Sequence, residues 1–412
     1  MFAWFWSAVL FVLPIVHYQF ISDFRLQKNI FFLFVGFLSL ILFKSSNSKL
    51  ISFVSAAFFT KTIFSKYILA SAYTIVGAQI AIRGKGAITG RAFLQTIEIF
   101  LGLALINQFS AHWDGHTKKY LSNALAVMCV IQSLWIIAQH FHYEPLMVLF
   151  GFKSLNGLGA VSGSLDQPMV TGCFMGATFP FLFRRKWHFF IPLVVASLYC
   201  LDSAMGVLGC AIVPIYLVSK DLKASQFLAA FGLFAIGIFF LYRLFGDFFQ
   251  PAARFLTWSK IIEQTPFMFF GRGFGVYSDL GWQNLGVGEN MAHPHNEYLS
   301  LYLASGCLGL ALFLGVVGWL FQWHRRAPLF SASLVSLLAT AGGAFPFHIA
   351  PTSVILLIGF GALLHHFKES NKCRRLLSLL RLLGFLLLYA LGSCSEMIKK
   401  WIGRPKYLRI FS

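Results

Sequence analysis

The sequence predicts an all-α fold: a polytopic membrane protein of about twelve transmembrane helices with one large loop outside the cytoplasm. Three observations carry this. Of the 412 residues, 58% are hydrophobic and 11% charged, against about 25% charged in a soluble domain. Apolar windows of bilayer-spanning length recur from end to end, so a single anchor does not describe the chain. Lysine and arginine fall mainly in the short connections between those windows, which is what the positive-inside rule produces. The same rule accounts for most of the formal net charge of +19. Basic residues scattered over many loops also argue against a nucleic-acid surface. The 48 phenylalanines suit a lipid-facing exterior.

Candidate spans run over 3–20, 29–43, 58–82, 92–109, 120–140, 168–184, 187–201, 203–219, 225–245, 297–321, 328–346 and 347–364. The first lacks a basic leader and a small-residue cleavage site, so it reads as a membrane helix rather than a removed signal peptide. The second is short, and 50–82 holds one helix or two. Lys44 and Lys49, Lys118 and Lys119, Arg184 to Lys186, Lys220 and Lys223, and Arg325 with Arg326 mark the cytoplasmic side. Both termini then lie in the cytoplasm, and the loops 141–167 and 246–296 lie outside it. Arg83, Lys85 and Arg91 fall on the outer side in this count, which points to a miscounted span before residue 120 or to a local purpose. Four regions follow: a helix bundle over 1–245, the large loop 246–296, further helices over 297–364, and a basic tail over 365–412. The leucine-rich stretch 373–394 begins with arginines and reads as an interfacial helix on anionic lipid.

The seven cysteines sit mostly within apolar segments and form no CxxC pair. They read as small buried hydrophobes, with no disulfide framework and no zinc signature. His112 to His116 has a metal-like appearance but reads as a solvated turn. Arg91 and Glu98 lie seven residues apart in one apolar segment and could pair there. Ser203-Ala204-Met205-Gly206 opens a span with small residues that favour close helix packing.

Polarity concentrates in the loop 246–296, which is too long to be a mere connector. Arg254 follows a membrane exit and offers a planar fork suited to phosphate oxygens, although an interfacial anchor would look the same. Gly271-Arg272-Gly273 places another guanidinium in a turn where backbone N–H groups could approach a ligand. The stretch Ala292-His293-Pro294-His295-Asn296-Glu297 then runs directly into a long apolar helix. An imidazole at a membrane boundary is a functional candidate by default. Pro294 restricts the backbone and keeps both histidines outside the helix. Asn296 suits an N-cap. Two histidines without a third placed ligand do not make a metal site, and no metal or other cofactor is expected.

After His295-Asn296 come nine residues, then Gly306-x-x-Gly309-Leu310. This spacing resembles the histidine motif of the O-antigen ligase and O-antigen polymerase superfamily of bacterial envelope enzymes. Arg254 with Trp258, then Gly271-x-Gly273-x-Gly275, is similar to the segment that precedes that motif. Gly163-Ser164-Leu165-Asp166-Gln167-Pro168 is similar to an upstream loop-to-helix segment. The detailed likeness covers about 160–310. There are departures: Ala160, Val161 and Ser162 stand where the family often has a second arginine, leaving Lys153 as the nearest base. Met205 replaces a commonly polar residue.

The resemblance implies a metal-independent glycosyltransferase of the bacterial inner membrane with its site facing the periplasm. The donor would be a glycan on undecaprenyl diphosphate. The acceptor would be lipid A-core for a ligase, which is the leading reading, or a second lipid-linked glycan for a polymerase. Membrane lipids surround it and no nucleic acid is involved. Arg254 would stabilise the diphosphate leaving group, seconded by Arg272. His295 would take the acceptor proton or hold the diphosphate. Gly271, Gly273, Asn296, His293 and Lys153 would line the substrate. A transporter or flippase of lipid-linked sugars is the competing class; it predicts charges inside several spans and broken helices.

Overall fold

The computed structural model describes residues 1–14, 24–43, 101–145, 161–165, 167–219, 258–263, 265, 267–269 and 295–368. The expected spans 58–82 and 225–245, the cluster Arg83, Lys85, Arg91 and Glu98, and the tail 373–394 lie outside them. The chain divides into two units, Met1–Leu364 and His365–Ser412. All described secondary structure is helical. Ten helices are used below: α1 Phe2–Val12, α2 Phe24–Leu42, α3 Leu101–Ala111, α4 Gly115–His140, α5 Pro168–Thr178, α6 Ile191–Leu201, α7 Ala204–Ser219, α8 Glu297–Phe321, α9 Pro328–Thr340 and α10 Ala350–Lys368. Gly115–His140, Glu297–Phe321 and Ala350–Phe367 are long and apolar enough to cross a membrane. The protein is an all-α membrane protein.

Helix starts follow local chemistry. Asp114 caps α4: its carboxylate accepts the Thr117 N–H at 2.6 Å, which supplies an orphan donor with a partner. The same bond holds the Asp114 carboxyl below its ordinary value. Proline occupies the first turn of α5, α6 and α9, where its missing N–H costs nothing. The expected solvated turn at 112–116 is only partly that. Asp114 and His116 are exposed, but Trp113 is buried edge-on against Phe330, with centroids 4.8 Å apart. An indole buries too much apolar surface to be left in water when a partner helix is near.

Close approach of backbones holds the centre. A Cβ on Gly172 would lie 2.7 Å from the Gly206 nitrogen, and one on Gly176 would lie 2.8 Å from the Gly209 Cα. Here α5 and α7 touch through glycine, as membrane helices do when no hydrophobic effect drives them together. The small residues that open α7 therefore do pack closely. Ser333 of α9 donates to the Ala177 carbonyl at 2.5 Å. Farther out, Trp6, Ser39 and Gln108 form a buried chain across α1, α2 and α3, with Ser39 Oγ donating to Gln108 Oε1 at 2.8 Å. Cys129, Cys173 and Cys210 are buried among apolar side chains, whereas Cys200 and Cys307 are half-buried.

The two ends of the bundle differ in charge. Trp4 meets Tyr120, Arg184 donates to Asn123 at 2.9 Å, Trp113 meets Phe330, and Tyr216 meets His324. These contacts gather the N-terminus and the turns 112–120, 183–190 and 323–330 at one end. Lys118, Lys119, Arg184, Arg185, Lys186, Arg325 and Arg326 all sit there, with Trp187 and Trp323 beside them. The turns 139–145, 161–165, 201–205 and 341–348 and the start of α8 occupy the other end.

Candidate functional site

The second end carries the candidate site. It is built on three adjoining supports: the start of α8, the turn 341–348, and the turn 161–165 ahead of α5.

His295 has φ 51°, in the left-handed region. Asn296 returns to extended backbone, and its side-chain oxygen accepts the Leu299 N–H at 3.0 Å. The expected cap is therefore present, and α8 begins at Glu297. The His295 ring is half-buried and lies 5.1 Å from the Phe345 ring at 59°. Its Nδ1 is buried. Asp202 and His142 are the other described non-glycine residues with positive φ, and both lie at this end. Asp and His tolerate that conformation better than most residues, and such strain gathers where surrounding structure holds a backbone in a set shape.

Glu297 escaped sequence reasoning. It is 4% exposed. Its carboxylate accepts the Phe347 N–H at 2.8 Å, and its own N–H donates to the Ala341 carbonyl at 2.8 Å. The next residue, Tyr298, donates its hydroxyl to the Leu338 carbonyl at 2.5 Å. An acid following His-Asn was visible in the sequence, but its partners lie 40 or more residues away.

One turn beyond Tyr302, α8 breaks. Gly306 has φ 71° and ψ −172°, a region open essentially to glycine alone. The N–H groups of Cys307 and Leu308 leave the helix and donate to the Met268 and Phe269 carbonyls at 3.0 and 3.2 Å. In return the Met268 N–H donates to the Tyr302 hydroxyl at 3.2 Å. Buried Ile261 packs with Leu303, Leu299, Tyr302 and Met268. Gly306 is thus a docking point for the segment 267–269. The bend also brings Gly309 hard against Ser305, where a Cβ would clash.

The third support is a polar turn gripped by two glutamines of α4. Gln139 Oε1 accepts the N–H groups of Ser162 and Gly163 at 3.0 and 2.7 Å. Gln132 Oε1 accepts the Ser164 N–H at 3.3 Å, and its amide donates to the Ser164 hydroxyl. Thr171 donates to the Ser162 carbonyl. Gly163 has φ 65°, and a Cβ there would meet Thr171 at 2.7 Å. This turn leads into α5 at Pro168, so the segment is a loop-to-helix junction. Two glutamines seven residues apart share a helix face, but within an apolar helix each reads alone as a tolerated polar residue. Met205 abuts Gly343, and α5 meets the turn 346–348, which joins the supports.

Of the sequence-derived site residues, His295 and Asn296 are therefore placed. Arg254, Arg272, Gly271, Gly273, His293 and Lys153 lie outside the described residues. Among the described residues no group of three histidine, cysteine or acidic side chains could hold a metal ion. Comparison of the chain with protein families, curated proteins and solved structures finds no match.

Proposed function

We propose that this chain is a membrane glycosyltransferase that moves a glycan from undecaprenyl diphosphate to a sugar hydroxyl of lipid A-core, at the periplasmic face of the bacterial inner membrane. The single observation that carries this reading is His295, strained and half-buried, at the bundle end opposite the lysines and arginines. The positive-inside rule puts the basic end in the cytoplasm. His295 then faces the compartment where a flipped lipid-linked donor is presented. Twelve spans and the large outer loop 246–296 belong to the same reading.

In this mechanism the acceptor hydroxyl oxygen attacks the anomeric carbon of the donor sugar. The carbon–oxygen bond to the diphosphate breaks, and undecaprenyl diphosphate leaves as the anion. The hydroxyl proton passes to the His295 imidazole. Because Nδ1 is buried, Nε2 is the nitrogen a substrate approaches. A neutral imidazole is chemically suited to accept a proton from a hydroxyl in this way. Arg254 and Arg272 stabilise the charge that develops on the diphosphate, a gain realised mainly in the transition state. In the alternative role an imidazolium at His295 binds the diphosphate directly. Gly271, Gly273, Asn296, His293 and Lys153 bind the substrate in the same reading.

The test is the lipopolysaccharide banding pattern of a deletion strain. Loss of all O-antigen from core, with lipid-linked polymer retained, is the ligase outcome. A core bearing one repeat indicates a polymerase joining lipid-linked repeats. Unchanged banding removes both. The broken helix at Gly306 favours one reading from another class, a transporter of lipid-linked sugars, since discontinuous helices are a transporter device. That reading predicts lipid-linked glycan trapped on the cytoplasmic leaflet in the same strain.

A further inference from the structure

We infer that Glu297 is a positioning residue that clamps the turn 341–347 and through it fixes the imidazole of His295. The inference rests on the reading of His295 as the acting group. Glu297 is 4% exposed, and a carboxylate is not buried without partners that repay its lost hydration. Its backbone N–H holds the Ala341 carbonyl and its Oε1 holds the Phe347 N–H, both at 2.8 Å. One residue thus grips both ends of the turn. Between the two grips lies Phe345, 1% exposed, whose ring meets the His295 ring at 5.1 Å. The turn is also tied to α10, because Thr352 donates to the Pro346 carbonyl and Ser353 donates to the Phe347 carbonyl at 2.7 Å. The wall against the imidazole is therefore fixed from behind.

His295 itself needs that wall. A left-handed histidine persists only where its surroundings over-determine it. Asn296 fixes the chain on the helix side by capping α8. Phe345 fixes the ring on the other. His295, Asn296 and Glu297 then have three distinct tasks: the first acts, the second starts the helix, and the third holds the facing turn.

The experiment reads His295 directly. The full-length chain in detergent is treated with diethyl pyrocarbonate, and carbethoxylation of His295 is followed by peptide mass spectrometry. Exposed His116, at the opposite end, serves as the internal reference. Glu297→Ala should change the His295 rate at least about threefold, because the Phe345 ring against the imidazole loses its support. It should also lower the turnover number by about tenfold to a hundredfold with KM nearly unchanged, the consequence of a small misplacement. Glu297→Gln keeps the acceptor oxygen and should restore both within about twofold. Phe345→Leu should reproduce the change in His295 reactivity without touching the carboxylate, and it serves where Glu297→Ala fails to accumulate. A His295 rate in Glu297→Ala equal to the parent overturns the inference, and so does a Glu297→Gln protein as impaired as Glu297→Ala. The modification rate does not depend on catalysis. Full transfer activity in His295→Ala would therefore sink the functional reading and leave the positioning measurement standing.

Discussion

Replacing Gly306 by alanine should release the segment 267–269 from α8. At φ 71° and ψ −172° a Cβ is strained wherever it points, and holding alanine there costs about 1–3 kcal/mol. The backbone has one easy escape, which is to straighten into continuous helix. The N–H groups of Cys307 and Leu308 would then return to α8 and abandon the Met268 and Phe269 carbonyls. The abandoned loop bonds are worth about 1 kcal/mol each, and the cluster of Ile261, Met268 and Leu303 loosens with them. Either route costs about 1–3 kcal/mol. The apparent unfolding temperature in detergent should fall by about 2–5 °C, the response expected of a chain this size or somewhat smaller. The more telling assay is limited trypsin digestion, since Lys260 and Arg272 flank the docked segment in sequence. Cleavage there should speed up about tenfold or more, as a loss of this size shifts local opening. An alanine variant with parental melting and parental cleavage would refute the argument that the glycine exists to dock the loop.

Other predictions test the proposed site, the topology and the central helix packing. His295→Ala should reduce glycan transfer in membranes by about a hundredfold or more and His293→Ala less; activity within about twofold of the parent would remove His295 from the mechanism. Arg254→Lys should lose most of the activity, because lysine keeps the charge but not the bidentate fork; a fully active lysine variant would leave only general electrostatics. A cysteine at Gln283, in a background lacking the native cysteines, should react with a membrane-impermeant thiol reagent in intact spheroplasts, and labelling only after lysis would reverse the topology. Gly172→Ala would place a Cβ 2.5 Å from Ser203 Oγ and 2.7 Å from the Gly206 nitrogen. The helices α5 and α7 must then part by about 1 Å to regain ordinary contact. That overpacking costs about 1–3 kcal/mol, so unchanged thermal stability would mean that the glycine contact is not tight.

Hydropathy and charge in the sequence determined the class of this protein and much of its layout. The span expected over 297–321 coincides with α8, Glu297–Phe321, whereas the helices within 168–184 and 203–219 are apolar but shorter than a membrane crossing. The lysines and arginines assigned to one side do gather at one end among the described residues. These features are legible because a bilayer acts on every residue separately: apolar windows and loop charges add up along the chain without regard to what they touch. The Asn296 cap is legible for a similar reason, as its partner is only three residues away.

What only the tertiary structure decided are contacts between residues far apart in sequence. Glu297 grips Phe347 across 50 residues, and Gln132 grips Ser164 across 32. In the sequence each is a single polar residue at or within an apolar helix, and nothing nearby says whether it meets lipid, water or another backbone. Gly306 is the sharpest case. Its place in the spacing was visible, but its purpose was not, because a glycine in a helix and a glycine in a break look alike until Met268 and Phe269 are set against it. Buried polar groups and breaks must be satisfied by whatever the fold brings to them. Their meaning therefore resides in the packing, whereas the spans and their polarity resided in the sequence.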